Sequence, residues 1–182
     1  MLEDDFGLIE GMLVLSFLDL IEVQFLEAFR KHGVRWATIR EAAANARQLL
    51  GTSHPFSTKR FSTDGKHILV SSTEGIEDRN LMDLIDSQLE IVDIVEPLLR
   101  GAIDFSNYDL AARWWPMGRE RRVLIDPHFS FGRPIISDSG VPTDVLAATY
   151  KATESIEKVA DWYEVDTEAV RQAIEYETLI AA

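Results

Sequence analysis

The apolar residues of segment 13–32 recur at spacings of three and four, which predicts a helix with one buried face. The positions that form this face are Leu18, Ile21, Phe25 and Phe29. The charged residues that fall off the face are Asp19, Glu22, Glu27 and Arg30. Gly33 ends this helix, and the same periodicity predicts a second helix over residues 36–50, closed by Gly51.

A hairpin signal follows the two helices. Segment 54–70 contains Asp64-Gly65 between two runs with apolar residues, and this dipeptide is typical of a tight turn between antiparallel strands. Two helices and a hairpin make a winged-helix-like unit, which we expect to occupy residues 1–75.

The central segment, residues 76–122, is expected to connect two domains with short α and β elements. A buried helix and a buried strand pair both fit its apolar run, which consists of Leu89, Ile91, Val92, Ile94, Val95, Leu98 and Leu99. Short strands are predicted at residues 110–116 and 122–125.

Residues 123–182 are predicted to form a helical domain. A turn-rich stretch precedes three short helices, at about residues 142–151, 156–163 and 167–179, of which the last two can be capped by Ser155 and Asp166. Their apolar spacing is typical of a helix-turn-helix core. The predicted fold class is therefore α+β and mainly α, with winged-helix-like helices and a hairpin, short central strands and a C-terminal three-helix domain.

Composition places the chain among folded proteins without cysteine chemistry. The 182 residues are 46% hydrophobic, which is ample for a core, and the absence of cysteine excludes disulfides, thiolate metal sites and a cysteine nucleophile. The first residues are acidic, unlike a signal peptide, and acidic residues interrupt the apolar stretch at 13–29. We therefore expect no membrane span and a cytoplasmic location.

The net charge of −13 argues against nucleic-acid binding by the chain as a whole. Residues 29–70 are the exception, because eight basic and two acidic residues give them a local charge of +6. One interpretation is a helix-and-wing surface that contacts DNA through Arg35, Trp36, Arg40, Arg47, Lys59, Arg60 and Lys66. The alternative, given equal weight, is a mixed-charge surface that docks on the acidic remainder of the chain or on a sister subunit.

The acidic charge of the C-terminal helices distinguishes them from DNA-binding helix-turn-helix domains. Residues 153–177 hold eight acidic and two basic side chains, which favours a protein-binding or structural role for this helix-turn-helix pattern. Trp162, Tyr163 and Tyr176 add aromatic side chains suited to a basic partner protein. A second cluster, either an exposed turn or a protein-interface hot spot, contains Trp114, Trp115, Arg119, Arg121 and Arg122.

Enzymatic activity has no positive support in the sequence. There is no glycine-rich phosphate loop, no H-E-x-x-H and no G-x-S-x-G, and the four histidines are scattered singly. Glu90, Asp93 and Glu96 are interpreted as the solvated face of the central helix rather than as metal ligands. We expect no catalytic residues, no metal and no cofactor.

The C-terminal half resembles a known family in four stretches. These read VLIDPHFSFGRPII at 123–136, SGVPT at 139–143, SIEKVADWY at 155–163 and VRQAI at 170–174. The pattern resembles the domain of unknown function 433 found in bacterial VapB-type antitoxins. Stretches at residues 15–20, 34–40 and 54–65 resemble the segment that precedes this domain in larger members.

The resemblance implies a non-enzymatic antitoxin of a type II toxin–antitoxin system. Such a protein binds and silences a PIN-like ribonuclease toxin, and it binds its own operator as a dimer or as a toxin–antitoxin hetero-oligomer. The implied toxin contacts lie in the C-terminal half and the segment before it, at Trp114, Trp115, Arg119, Arg121, Arg122, Phe131, Trp162 and Tyr163.

Operator binding is the less direct part of this inference. Larger members carry a MerR-like helix-turn-helix ahead of the stretch that matches residues 15–20, and this sequence begins shortly before that stretch. We expect the DNA-binding surface to be missing or reduced to residues 34–67. The alternative function is a DNA-binding transcriptional regulator whose C-terminal domain mediates protein interaction or dimerisation.

Overall fold

The computed structural model describes residues 8–9, 12–31, 33–61 and 102–181, and over these ranges the protein is mainly helical with short antiparallel strands. The predicted α+β, mainly α class is confirmed. The helices are α1 (Phe17–Lys31), α2 (Trp36–Leu50), α3 (Thr143–Thr153), α4 (Ile156–Tyr163) and α5 (Thr167–Ile180). The strands are β1 (Leu8–Ile9), β2 (Met12–Leu13), β3 (Ile103–Phe105), β4 (Ala111–Trp114), β5 (Val123–Leu124) and β6 (Ile135–Ile136), which form the two-stranded sheets β1–β2, β3–β4 and β5–β6.

The chain divides into two compact units. Unit 1 contains residues 1–100 and 105–111, and unit 2 contains residues 101–104 and 112–182. The three-part division at residues 75 and 122 stays a prediction. No helix in the described part of the chain is long and apolar enough to cross a membrane.

Helix α1 begins with a reciprocal cap and buries its predicted apolar face. The backbone N–H of Asp19 donates to Ser16 Oγ at 3.1 Å, and the N–H of Ser16 donates to Asp19 Oδ2 at 2.8 Å. Ile21, Phe25 and Phe29 are buried. Asp19 and Glu22, which the periodicity places off this face, are buried as well, because polar groups of residues 54–57 bind their carboxylates.

Helix α2 ends where the sequence predicts. Gly51 adopts a left-handed conformation, with φ at 65°, and its N–H donates to the carbonyl of Arg47 at 2.8 Å. Three alanines on the inner face of α2 are buried, at positions 42, 43 and 46. Their small side chains allow the helix backbone to approach the rest of unit 1 closely.

The predicted hairpin is wrong over the residues that can be compared. Pro55–Ser57 forms a 3-10 helix and residues 59–61 are helical, so the first strand of the expected wing is absent from this described stretch. The physical reason is that these N–H groups bond to side chains: Glu22 accepts from two of them, and Thr58 Oγ1 accepts from Phe61 at 3.0 Å. The Asp64-Gly65 turn and the central run at 89–99 lie outside the described residues.

An aromatic cluster forms the core of unit 1. The rings of Phe25, Phe29, Phe56 and Phe61 pack with centroid separations between 5.0 and 6.0 Å, mostly in edge-to-face arrangements. Phe56 and Phe61 belong to the segment that the sequence assigns to the hairpin. The cluster therefore holds this helical segment against α1.

The core of unit 2 joins the β5–β6 pair to the three C-terminal helices. Its buried members are Val123, Ile136, Leu146, Val159, Ala160, Ala169, Val170, Ala173 and Tyr176. Both predicted caps are present, since Ser155 Oγ accepts from Lys158 N at 3.3 Å and an Asp166 carboxylate oxygen accepts from Ala169 N at 2.8 Å. The predicted strands at 110–116 and 122–125 correspond to β4 and β5.

Candidate partner-binding surfaces

A groove in unit 1 brings together part of the predicted DNA-binding set. We call it the arginine groove; it has a volume of about 510 Å³ and is lined by Val23, Leu26, Glu27, Arg30, Trp36, Ile39, Arg40, Ala43 and Arg47. Three of the predicted residues, Trp36, Arg40 and Arg47, therefore share one concavity. Arg35, Lys59 and Arg60 are exposed outside its lining, and Lys66 lies outside the described residues.

The arginines of this groove hold defined positions. Arg30 places its guanidinium 5.5 Å from the centre of the Trp36 ring and donates to the Val34 carbonyl at 2.6 Å. Arg47 Nε donates to the Ser53 carbonyl at 3.0 Å. Trp36 remains 51% exposed, so an aromatic face and several cations line an apolar floor. Arg30 also lies within the basic segment 29–70, although the predicted DNA-binding set does not include it.

A buried polar cluster in unit 1 consists of residues that the predicted site sets do not include, namely Glu22, Asp19 and His54. Glu22 Oε1 accepts hydrogen bonds from Phe56 N at 2.7 Å and Ser57 N at 3.1 Å, whereas Glu22 Oε2 has no hydrogen-bond partner. Burial raises the pKa of Glu22 to about 8, against the opposing effect of these hydrogen bonds and of the Arg47 charge. Glu22 is therefore mostly protonated at neutral pH.

Asp19 and His54 form a second buried contact beside Glu22. His54 Nε2 lies 3.1 Å from Asp19 Oδ1, and His54 Nδ1 lies 3.0 Å from Ser53 Oγ. In a serine hydrolase the carboxylate bonds Nδ1 and the serine bonds Nε2, so the connections here are reversed. We assign the cluster a structural role, which is to tie residues 53–57 to α1.

The predicted Trp–Arg cluster of unit 2 is engaged within its own unit. Arg122 makes a bidentate pair with Asp166 at 2.5 and 2.7 Å, and its backbone N–H donates to Gln172 Oε1 at 2.9 Å. Hydrogen bonds from Arg122 lower the pKa of Asp166. Arg121 pairs with Glu175 at 3.1 Å. These two arginines therefore anchor α5.

The third arginine of the cluster belongs to a small network around Asp104. Arg119 pairs with Asp104, and its guanidinium lies 5.8 Å from the centre of the Trp115 ring. The Trp115 indole N–H donates to the same carboxylate at 3.2 Å. Trp114, in β4, is half-buried. The cluster is thus a packed structural feature with a partly accessible edge.

Of the three remaining predicted toxin contacts, Phe131 and Trp162 are highly accessible. Phe131 is fully exposed, and Trp162 on α4 is 64% exposed. Tyr163 is half-buried, and its hydroxyl lies 3.0 Å from Thr149 Oγ1. The prediction that Tyr176 belongs to this surface is wrong, because its ring is buried in the core of unit 2. Exposed aromatic side chains are the usual anchors of protein interfaces, so Phe131 and Trp162 are the positions in unit 2 best suited to bind a partner. In the described ranges no three His, Asp or Glu side chains converge as a metal site would require.

Comparison with known proteins shows what this chain is similar to. Residues 123–176 match the family described as "Protein of unknown function (DUF433)". The chain is also 29% identical over 170 residues to the Mycobacterium tuberculosis protein named "Putative antitoxin VapB45", an alignment that covers 88% of this chain and 70% of that protein. This chain carries a DUF433 segment and is similar to a VapB-type antitoxin. The resemblance predicted from the sequence is confirmed.

A solved structure extends the similarity to three dimensions. The crystal structure of Rv2018 from Mycobacterium tuberculosis matches with a TM-score of 0.72 and 27% identity, covering 88% of this chain and 78% of that one. The VapB-type similarity therefore spans far more of the chain than the DUF433 segment alone.

Proposed function

We propose that this protein is the antitoxin of a type II toxin–antitoxin system, which binds and neutralises a PIN-like ribonuclease toxin in the cytoplasm. The observation that carries the proposal is the similarity to the protein named as antitoxin VapB45 over 88% of the chain. In this role the protein acts by binding and carries out no reaction of its own.

Charge and exposure support unit 2 as the toxin-binding part. A ribonuclease that binds RNA presents a basic surface, and residues 153–177 hold eight acidic side chains against two basic ones. Asp166 and Glu175 are paired with Arg122 and Arg121, so the other six carboxylates are the ones proposed to face the toxin. Phe131 and Trp162 are exposed, whereas Arg121 and Arg122 are paired within the unit. We therefore propose that the toxin contacts lie on the exposed aromatic side chains and that Arg121 and Arg122 hold α5 in place.

Co-expression with the neighbouring open reading frame tests this proposal. We expect a stable complex and restored growth of cells that express the toxin. Trp162→Ala should weaken the complex about tenfold, because a half-exposed tryptophan is a typical anchor residue. Leu179→Ala is the matched control, since Leu179 is 63% exposed on α5, and it should change affinity less than about threefold. Absence of both complex and growth rescue would contradict the proposal.

Operator binding is a second candidate function, favoured by the arginine groove. Trp36, Arg40 and Arg47 share this groove with Arg30, within a segment whose local charge is +6. A dimer of the chain would present two such surfaces to two half-sites of one operator. The antitoxin would then repress its own operon.

A promoter-shift experiment tests the operator-binding candidate. Wild-type protein should bind the promoter fragment with an affinity that falls as salt concentration rises, because phosphate contacts release counterions. The double variant Arg35→Ala, Arg40→Ala should lose about tenfold or more in affinity and show a shallower salt dependence. Arg171→Ala, on the acidic helix α5, should bind like wild type. Failure of wild-type protein to shift the fragment at low salt would end this candidate.

A further inference from the structure

The loop at residues 126–133, which we call the aromatic loop, holds an unusual backbone. Ser130, Phe131 and Gly132 have φ values of 48°, 57° and 76°, so three successive residues are left-handed. Residues with side chains adopt this region as isolated positions, at a cost of about 1–2 kcal/mol each. A run of this kind persists when the surrounding structure imposes it.

The surroundings do fix the loop at both ends. The Asp126 carboxylate is buried; one oxygen accepts from Arg113 Nε at 2.8 Å and the other from His128 N at 2.9 Å. At the far end, Arg133 pairs with Asp144 on α3. Between these anchors, Gly132 N donates to the Phe129 carbonyl at 2.9 Å, which closes the turn.

The aromatic loop exposes the phenyl ring of Phe131 to solvent. Phe131 is fully exposed and Phe129 is 55% exposed, although an exposed phenyl ring gains nothing from the fold. Both the strained backbone and the exposed ring are therefore costs that the isolated protein does not recover. A loop whose backbone is already fixed loses little conformational entropy when a partner covers its aromatic side chain.

We propose that Phe131 is a preformed anchor that inserts into an apolar pocket of the toxin. This inference rests on the proposed antitoxin function and names the side chain that carries most of its affinity. The tip of the loop is a phenyl group, and the loop's one arginine is already paired with Asp144, which suits an apolar protein pocket rather than a phosphate backbone. The loop also lies within the segment 123–176 that matches the DUF433 family.

The test measures the affinity of purified variants for the catalytically inactive toxin from the neighbouring open reading frame. Phe131→Gly should weaken binding about 30-fold or more, the size expected of a hot-spot residue. The same change should leave the melting temperature equal to or above that of wild type, because glycine adopts the left-handed region without strain. Loss of binding without loss of stability distinguishes an anchor from a structural residue. Tyr108→Ala is the control, since Tyr108 is 88% exposed in unit 1, and it should change affinity less than about threefold.

Weaker toxin binding together with a lower melting temperature would give Phe131 a structural role and overturn the anchor. Weaker toxin binding at unchanged or higher melting temperature supports the anchor. If wild-type protein binds the toxin and Phe131→Gly binds within about threefold of it, the anchor is overturned while the antitoxin function stands. A change in the oligomeric state of Phe131→Gly with unchanged toxin affinity overturns it in favour of self-association. If wild-type protein does not bind the toxin, the proposed function fails and the anchor fails with it.

Discussion

Raising the pH from 5.5 to 8 is expected to destabilise unit 1, and Glu22→Gln is expected to remove most of this loss. Burial raises the pKa of Glu22 to about 8 from an ordinary value of 4.5. Between these values the folded state retains a proton that the unfolded state has released, so the free energy of unfolding falls as pH rises. The slope approaches about 1.4 kcal/mol per pH unit, or about 3 kcal/mol over this range. Below the unfolded pKa Glu22 is protonated in both states, so the free energy of unfolding is at its highest with respect to this group and no longer changes with pH.

Glutamine preserves the geometry while removing the titration. Its side-chain oxygen can accept the same N–H groups of Phe56 and Ser57 that Glu22 Oε1 accepts. Urea denaturation followed by circular dichroism at several pH values measures the slope. Glu27→Gln is the control on the same helix, since Glu27 is 52% exposed and paired with Lys31, and it should keep the wild-type slope. A Glu22→Gln variant with the full wild-type slope would show that other groups cause it.

Phe25→Ala is expected to cost about 3–5 kcal/mol of unfolding free energy, a large share of the stability of an ordinary domain. Phe25 is completely buried, and its ring lies 5.4 Å from that of Phe61 and 5.9 Å from that of Phe56. Truncation leaves a cavity among rings that are fixed by their own contacts and cannot collapse to fill it. Chemical denaturation of the purified variant provides the measurement.

Two further variants calibrate the Phe25 result. Phe25→Leu retains most of the volume and should cost about 1–2 kcal/mol, while Leu49→Ala, at an exposed position of α2, should cost less than about 0.5 kcal/mol. A loss below about 1.5 kcal/mol for Phe25→Ala would mean that the aromatic cluster is loosely packed.

Helix ends that are determined by residues within a few positions could be predicted from the sequence. Helix α2 ends at Gly51, and helices α4 and α5 begin after Ser155 and Asp166, because each of these caps acts on residues within four positions of itself. Periodicity likewise identified the apolar face of α1. Local chemistry was sufficient in these cases.

Features that depend on distant partners could not be predicted in this way. Glu22 is buried because it accepts hydrogen bonds from the backbone N–H groups of Phe56 and Ser57, which lie 34 and 35 residues along the chain. The same bonds favour a 3-10 helix over the expected strand. The tryptophans and arginines near Arg122 in sequence predict that it is an interface residue. In the structure its guanidinium instead pairs with Asp166, which lies 44 residues along the chain. Tertiary contacts decided both outcomes.

Asp19 shows how such contacts limit what a position can become. One of its carboxylate oxygens takes the N–H of Ser16 at the start of α1, and the other lies against His54. A carboxylate at this position requires the proton of His54 to lie on Nε2. Asparagine could keep both neighbours only if its Oδ1 accepts from Ser16 and its Nδ2 donates to His54 Nε2, which places the imidazole proton on Nδ1, 3.0 Å from Ser53 Oγ. Asp19→Asn is therefore expected to exchange the tautomer of His54, whereas Glu22→Gln keeps an acceptor for the same two N–H groups.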